Sequence, residues 1–324
     1  MKTKIVYVLV SDGKDDFCEM TLLSIHSLRR FHPDDDVIIL TDEPSRIIFT
    51  ERYGPSPENA HLVTIPVPDG FDNRRRSRYL KTSLRKHLSG AFLFLDCDTL
   101  VCDSLKDVDS FDMDIGCVPD SHKFSILDDE DVIRQCSALG FSNVAGAPYY
   151  NSGVIYVKDS DLCRLFFDEW SRLWLQHATQ TSVVDQPAFC QTNKNLGFPI
   201  HQLPDYWNCM IQLGGKPFLK KAKIIHYFSM DSCKTLPRNL LFSRLRELGY
   251  CDKIADHVCR NPRTIGYSAF SMDIGRGDFI YSFLFSDILP VYLDIQPLYR
   301  FFLFCSRKLY YPILLVIRLI KGSQ

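Results

Sequence analysis

An apolar run that ends in two closely spaced carboxylates constrains this chain more than any other feature. Residues 91–103 read Ala-Phe-Leu-Phe-Leu-Asp-Cys-Asp-Thr-Leu-Val-Cys-Asp, so an apolar stretch leads directly into Asp96 and Asp98. Such a short run predicts a strand that is buried on both faces. In an extended chain, alternation turns Asp96 and Asp98 to one side and Cys97 to the other. Two carboxylates there suit Mg²⁺ or Mn²⁺ carrying a phosphate, although a strand running into an acidic turn reads the same way.

Strand and helix patterns alternate on both sides of this segment. Further strands are predicted at 5–10, 37–40, 62–67, 115–118, 154–157 and 224–228. Helices are predicted at 17–31, 74–88 and 161–177. This alternation is typical of an α/β fold with a mostly parallel central sheet covered by helices on both faces. Ligands of such sheets bind beyond the carboxyl ends of the strands, where the two carboxylates are expected.

Composition and missing motifs exclude several classes of protein. The 38 basic and 39 acidic residues nearly cancel, which gives no reason to expect a nucleic-acid partner. No Gly-x-Gly-x-x-Gly or Gly-x-x-x-x-Gly-Lys occurs, which disfavours a dinucleotide-binding domain and a P-loop kinase. The 12 cysteines are scattered singly, as expected of buried thiols in a cytoplasmic protein. No apolar stretch approaches the ~20 residues that span a bilayer.

The character of the chain changes near residue 232. We predict a catalytic α/β domain at 1–232 and a helical C-terminal region at 233–324, which ends in a basic and aromatic tail at 298–324. One helical face of the tail is apolar and holds Leu298, Phe301, Phe302, Cys305, Leu309, Ile313, Val316 and Ile320. The other face is basic and holds Arg300, Arg307, Arg318 and Lys321. This pattern predicts contact with an anionic membrane surface, and a helix docked on the protein or on a second subunit is the alternative.

Four further patterns occur in register with Asp96 and Asp98. They are Arg76-Ser-Arg-Tyr-Leu-Lys81, Tyr149-Tyr-Asn-Ser-Gly153, Val184-Asp-Gln-Pro187 and Ile224-Ile-His-Tyr-Phe228. In this order the set resembles the retaining glycosyltransferases of family 8, over residues 4–230. The resemblance implies a GT-A fold and metal-dependent transfer of a sugar from a nucleotide-diphosphate donor, expected to be a UDP-sugar. The expected acceptor is a glycan or a glycolipid. The tail and the scattered cysteines, and not the resemblance, suggest a role in polysaccharide or lipopolysaccharide assembly at the inner face of the membrane.

The resemblance implies a set of metal ligands. Asp96, Asp98 and His226 would hold Mn²⁺, or Mg²⁺, that bridges the donor diphosphate, and the nitrogen ligand shifts the preference toward Mn²⁺. Taken alone, His226 in Ile-Ile-His-Tyr-Phe also reads as a hydrogen-bonded core histidine.

The resemblance also implies contacts to the donor. Arg78 and Lys81 would contact the sugar or the pyrophosphate, Asp12 would lie beside the uracil ring, and Asp120 and Asn151 would contact the sugar. The alternatives are a solvated helix face for the two basic residues and a turn role for Asp12. For the neighbouring basic residues we expect the solvated face; they are Arg74, Arg75 and Arg85.

Asp185 and Gln186 are the implied catalytic residues. They would line the sugar and acceptor end of the pocket and stabilise the oxocarbenium-like charge at the anomeric carbon. No protein nucleophile is assigned, because the acceptor hydroxyl is expected to attack from the same face as the leaving group. The alternative is that they cap the helix that follows them. The chain departs from the family after His226, where the usual Gly-x-x-Lys-Pro-Trp is missing and Lys234 is only a loose substitute.

Two other functions are compatible with the same sheet. A sugar nucleotidyltransferase shares the metal carboxylates but usually opens with a glycine-rich, basic loop, whereas residues 11–16 read Ser-Asp-Gly-Lys-Asp-Asp. A non-catalytic, membrane-associated partner could keep the fold for binding alone, although the presence of both carboxylates and His226 argues against it.

Overall fold

The sequence folds into alternating strands and helices, as predicted. The computed structural model describes residues 1–122, 130–141, 147–178, 184–211 and 213–227, with five isolated residues beyond them. The strands assigned there are β1 Lys4–Leu9, β2 Val37–Thr41, β3 Ala60–Thr64, β4 Phe92–Leu95, β5 Thr99–Val101, β6 Ile115–Pro119, β7 Tyr150–Val157, β8 Ile200–Gln202, β9 Cys209–Met210 and β10 Ile224–His226. The α-helices are α1 Phe17–Arg29, α2 Glu43–Tyr53, α3 Asn73–Thr82, α4 Leu84–His87, α5 Glu130–Ala138, α6 Asp161–Ala178 and α7 Gln186–Asn195.

Seven strands form the central sheet, in the order β3-β2-β1-β4-β7-β6-β8. Neighbouring strands are parallel except around β7, which runs antiparallel to both β4 and β6. The sheet is therefore mostly parallel, as predicted. Reversal of β7 brings its N-terminal end to the carboxyl end of β4, so Leu95 pairs with Val154.

Both faces of the sheet are covered, which explains the continuous apolar runs. In β4, Phe92 and Phe94 belong to one buried cluster, whereas Leu93 and Leu95 belong to the other. Trp170 of α6 packs into the first cluster. Since each face buries every second side chain, a strand with two covered faces needs apolar residues at every position.

Several element boundaries differ from the predictions, among them the start of β7, at Tyr150 rather than at 154. β3 ends at Thr64 rather than at 67, because Pro66 has no N–H to donate to the sheet. The predicted helix at 74–88 is divided at Ser83, whose hydroxyl donates to the Tyr79 carbonyl at 2.8 Å. The predicted strand at 224–228 ends at His226.

The expectation of a solvated Arg85 was wrong. Its side chain is 1% exposed, and its guanidinium lies 5.1 Å from the centroid of the Phe92 ring. One Nη atom donates to the Gly90 carbonyl at 2.8 Å. Hydrogen bonds from the Nη atoms to main-chain carbonyls and stacking on an aromatic ring replace water around most of the guanidinium, while the buried Nε has no hydrogen-bond partner.

The predicted domain boundary at 232 and the tail at 298–324 lie outside the described residues. Two of the isolated described residues beyond 227 contact α1: Arg246 Nε donates to Glu19 at 3.0 Å, and Asp256 lies 2.9 Å from His26. Within the described part of the chain, no helix combines the length and apolarity needed to cross a membrane. Nine cysteines are described there, and all are buried with free thiols, in line with their predicted use as small core residues.

Candidate functional site

The candidate site lies where the direction of strand succession reverses. From β1 the chain proceeds to β2 and β3 on one side of the sheet, and then to β4 on the other side. The carboxyl ends of β1 and β4 are neighbours at this switch point, which is where open α/β sheets bind ligands. Asp96 directly follows β4, so the sheet places the first predicted ligand at this edge.

The two carboxylates meet through a turn and not through strand alternation. β4 ends at Leu95, and residues 97 and 98 form a turn before β5 begins at Thr99. The alternation argument was therefore wrong for this pair. Cys97 nevertheless turns away from the site, since its Sγ donates to the Val8 carbonyl at 3.2 Å.

A second, small sheet brings His226 to the carboxylates. β10 pairs antiparallel with β5 and parallel with β9, and His226 stands opposite Thr99. This register puts His226 Nε2 3.2 Å from Asp98 Oδ1. One ligand atom each from Asp96, Asp98 and His226 lies within 4.8 Å of the others. His226 is buried, and its Nε2 faces a carboxylate, as a metal ligand here would; its role as a ligand stays a prediction.

Three charged side chains of the site form a compact cluster beside Asp96. Lys81 in the last turn of α3 places Nζ 3.1 Å from Asp96 Oδ1 and 3.6 Å from Asp185 Oδ2. Arg78 Nε lies 2.8 Å from the other carboxylate oxygen of Asp185. Ser152 Oγ also donates to Asp185, at 3.1 Å. Lys81 is only 3% exposed, so the solvated-face alternative fails for it.

The charges of this cluster stabilise one another. Burial would raise the pKa of the Asp185 carboxyl, but Lys81 and Arg78 outweigh burial and hold that pKa below its ordinary value. Burial would likewise lower the pKa of the Arg78 guanidinium, yet nearby carboxylates, first among them Asp185 and Asp96, raise it above its ordinary value. Both groups are therefore ionised at neutral pH.

We expect Lys81→Met to destabilise the protein by about 3 kcal/mol at neutral pH, since it breaks a buried ion pair. Because the folded-state pKa of Asp185 is lowered, its ionised form stabilises the fold above the unfolded-state pKa. That contribution is lost as the pH falls through the folded-state value, below about pH 4 in the wild type. Without Lys81 the folded-state pKa rises, and the loss begins at a higher pH. Unfolding temperatures measured across the acid range test this.

Lys86→Met in α4 is the matched control. Lys86 and its partner Asp168 are 51% and 61% exposed, and such pairs contribute at most about 1 kcal/mol. Parallel curves of unfolding temperature against pH for Lys81→Met and the wild type would contradict the role given to Lys81.

The start of α7 does not use Asp185 as a side-chain cap. Asp185 occupies the position before the helix, but its carboxylate makes no capping hydrogen bond. It is bound instead to Arg78, Lys81 and Ser152. The capping alternative is therefore wrong for Asp185.

Gln186, Asn151 and Asp120 lie close together. Asn151 Nδ2 donates to Asp120 Oδ1 at 3.0 Å and lies 3.4 Å from Gln186 Oε1. The Ser152 main-chain N–H is also 3.4 Å from Gln186 Oε1. Residues that follow β6, begin β7 and begin α7 thus converge, and their contact with a sugar stays a prediction.

Asp12 lies in the exposed loop after β1. Its Oδ1 accepts hydrogen bonds from the main-chain N–H groups of Lys14 and Asp15, at 2.9 and 3.2 Å. The Lys14 amide in particular lowers the pKa of the Asp12 carboxyl. These bonds are those of a turn residue, and the predicted contact with a uracil ring stays a prediction.

Two residues of the site were not assigned a role from sequence. Asn208 is buried between His226 and Asn151, with Oδ1 3.1 Å from His226 Nδ1. Gly153 lies against the same imidazole, and a Cβ added there would be 2.3 Å from His226 Cε1. A glycine inside a strand does signal a close approach, but the sequence does not say to what. Asn208 follows a short turn, where asparagine is common for local reasons.

Comparison with solved structures identifies the fold. The bifunctional glycosyltransferase WbbM, in its apo structure, aligns with 70% of this chain and 46% of its own chain, at 16% identity and a TM-score of 0.52. The chain thus spans less than half of WbbM. Also similar are the galactosyltransferase LgtC, in complex with donor and acceptor sugar analogues, and mouse xyloside xylosyltransferase 1. LgtC has 16% identity, 76% and 96% coverage of the two chains and a TM-score of 0.49. The mouse enzyme has 13% identity, 71% and 98% coverage and a TM-score of 0.48.

The sheet and its helices therefore have the GT-A fold of glycosyltransferases, as the sequence predicted. No family model matches the sequence, and a search of curated proteins finds no significant match. At these identities the structural similarity shows the fold and leaves activity to be argued from the site.

Proposed function

We propose that this protein is a metal-dependent glycosyltransferase. It would move a sugar from a nucleotide-diphosphate donor, expected to be a UDP-sugar, to a glycan or glycolipid acceptor with retention, as in family 8. The observation that carries the proposal is the convergence of Asp96, Asp98 and His226 at the switch-point edge of a GT-A fold.

The residues present fit a divalent cation. Neighbouring ligands of an octahedral ion at about 2.1 Å are about 3 Å apart, and Asp98 Oδ1 lies 3.2 Å from His226 Nε2. Two carboxylates and one imidazole suit Mn²⁺ better than Mg²⁺, because Mg²⁺ prefers oxygen ligands. A bound cation would supply Lewis-acid stabilisation of the charge that develops on the departing nucleoside diphosphate.

The charged cluster around Asp185 supplies preorganised electrostatics. Asp185 is bound on both carboxylate oxygens, which favours a role as anchor for Arg78 and Lys81 over a role as nucleophile. Arg78 is 38% exposed, so it is the cation of this cluster that is open to a donor phosphate or sugar. Because these ion pairs are already formed in the folded protein, the charged groups need not reorganise during the reaction.

The remaining assignments belong to the same proposal. Asp12 would contact the donor base, Asp120 and Asn151 the sugar, and Gln186 together with Asp185 would stabilise the positive charge near the anomeric carbon. Lys234, the loose substitute for the family's phosphate-binding lysine, lies outside the described residues. The location at the inner face of the membrane and contact through the tail at 298–324 also stay predictions.

Binding of a nucleoside diphosphate tests the proposal most directly. We expect UDP to raise the unfolding temperature by several degrees in the presence of Mn²⁺ and by much less with EDTA. A ligand at about 100 times its Kd adds about 2.7 kcal/mol of stability, and each kcal/mol corresponds to roughly 2–4 °C. A screen of nucleotide-sugar donors for metal-dependent hydrolysis would then identify the sugar.

Two outcomes would favour the alternatives. If no nucleoside diphosphate raises the unfolding temperature, the result would point to the non-catalytic partner. Pyrophosphate release from a nucleoside triphosphate in the presence of a sugar 1-phosphate would point to a sugar nucleotidyltransferase.

A further inference from the structure

A chain of hydrogen bonds links the candidate metal ligand to the residues assigned to the sugar. The Gly153 main-chain N–H donates to Asn151 Oδ1 at 2.9 Å, and Asn208 Nδ2 donates to the same oxygen at 2.9 Å. Asn208 Oδ1 lies 3.1 Å from His226 Nδ1. We call these four residues the amide chain. Asn208 is fully buried, so water does not compete for either end of its side chain.

The Gly153 main-chain N–H determines the direction of every hydrogen bond in the amide chain. A main-chain N–H can only donate, so the side chain of Asn151 must turn its oxygen toward Gly153. Its Nδ2 then faces Asp120 Oδ1, a carboxylate oxygen that accepts at 3.0 Å. Asn151 Oδ1 requires donors, and Asn208 therefore presents its Nδ2 to Asn151 and its Oδ1 to His226.

The same logic assigns the proton on the imidazole. Asn208 Oδ1 can only accept, so the proton of the neutral imidazole must lie on Nδ1. Nε2 then carries a lone pair and faces Asp98 Oδ1, another acceptor, at 3.2 Å. Two facing acceptors are mutually satisfied when both bind one cation. A histidine ligand is commonly oriented in this way by a hydrogen bond to its second nitrogen.

We propose that Asn208 is a positioning residue that holds His226 as the Nδ1–H tautomer and so presents Nε2 to the cation. The cation itself rests on the proposed function, whereas the tautomer follows from the amide chain alone. Asn208 also fixes the position of His226 relative to Asn151. It therefore connects the metal site rigidly to the sugar end of the pocket.

Nuclear magnetic resonance of the metal-free, full-length protein tests the tautomer directly. Long-range ¹H–¹⁵N spectra of histidine-labelled protein, recorded at a pH high enough that the ring signals no longer change, distinguish the two ring nitrogens. The signals of His226 are assigned from their loss in His226→Gln. In the wild type we expect the proton on Nδ1 and none on Nε2.

Two substitutions at Asn208 separate its two hydrogen bonds. Asn208→Leu keeps the shape but removes the acceptor, and we expect both tautomers to appear and the Kd for Mn²⁺ to rise about 10- to 100-fold. Asn208→Asp keeps the acceptor for His226 and loses the donor to Asn151, so the proton is expected to stay on Nδ1.

Asn193→Leu is the matched control, because Asn193 is another buried asparagine, whose Oδ1 accepts from the Ile200 main-chain N–H at 3.0 Å. It should lower stability and leave the His226 signals and Mn²⁺ binding unchanged.

A proton on Nε2 in the wild type would overturn the inference. So would Asn208→Leu with the wild-type tautomer and wild-type Mn²⁺ affinity. If Asn208→Leu does not fold, the wild-type spectrum and Asn208→Asp still decide. A wild type with the proton on Nδ1 that binds neither Mn²⁺ nor Mg²⁺ would support the tautomer and contradict the metal assignment of the proposed function.

Discussion

Asp98→Asn is expected to abolish metal-dependent binding of the nucleotide and sugar transfer while leaving the fold intact. The substitution keeps the shape of the side chain and the main-chain carbonyl that accepts from Tyr227 at 3.1 Å. It removes the charged oxygen that faces His226 Nε2. Lewis-acid stabilisation by a metal is worth several kcal/mol, and each 1.4 kcal/mol is about tenfold in rate. We therefore expect a loss of at least about 100-fold in turnover.

Stability should respond in the opposite direction. Asp96 and Asp98 carry like charges close together, and removal of one relieves their repulsion in the metal-free protein. The unfolding temperature of metal-free Asp98→Asn is thus expected to equal or exceed that of the wild type. Mn²⁺ titration calorimetry and thermal unfolding measure the two effects separately.

Asp103→Asn is the control for this experiment, since Asp103 is an exposed acid that follows the same β4–β5 segment. It should leave Mn²⁺ binding, turnover and stability close to the wild type. Wild-type Mn²⁺ affinity in Asp98→Asn would contradict the assignment of this carboxylate as a ligand.

Gly153→Ala is expected to have the second-largest effect, and it acts without touching any charged group. The new Cβ would lie 2.3 Å from Cε1 and 2.8 Å from Nδ1 of His226, so the imidazole must move. His226 is enclosed, and a displaced ring loses both Asn208 and its position beside Asp98. We expect Mn²⁺ affinity to fall at least about tenfold. Overpacking should also cost roughly 1–3 kcal/mol of stability.

Gly116→Ala separates the two consequences. A Cβ at Gly116 in β6 would lie 2.8 Å from Met113 Sδ and 2.9 Å from Leu203 Cδ2, a milder clash with flexible side chains away from His226. This variant should lose some stability and bind Mn²⁺ as the wild type does. If calorimetry finds equal Mn²⁺ affinity in Gly153→Ala and Gly116→Ala, His226 does not act as a ligand in the position described.

Local patterns predicted most of the elements that build the sheet. β1, β2, β6 and α6 begin and end within one residue of their predicted bounds. Apolar periodicity reports which faces of an element are buried: nearly every residue of β1, β2 and β6 is buried, and α6 buries one face along its length. The predicted bounds were wrong where a single residue ends an element, as Pro66 does after β3 and Ser83 does after α3.

The residues of the candidate site could be predicted when they lie close together in the sequence, and not when they come from distant segments. Asp96 and Asp98 lie in one segment, and their clustering could be inferred from the sequence, although the turn that joins them could not. His226 was reached only through the resemblance to a family, because nothing in Ile-Ile-His-Tyr-Phe separates a ligand from a core histidine. Asn208 gave no signal at all.

By itself the sequence determined a mostly parallel α/β sheet and placed a pair of acids at the end of one of its strands. Only the tertiary structure decided which distant segments meet those acids. The pairing of β5 with β10 brings His226 to Asp98, and the packing of α3 against the sheet brings Lys81 between Asp96 and Asp185. The physical reason is that side-chain periodicity encodes burial one element at a time, whereas the distances between ligands depend on how all the elements pack together.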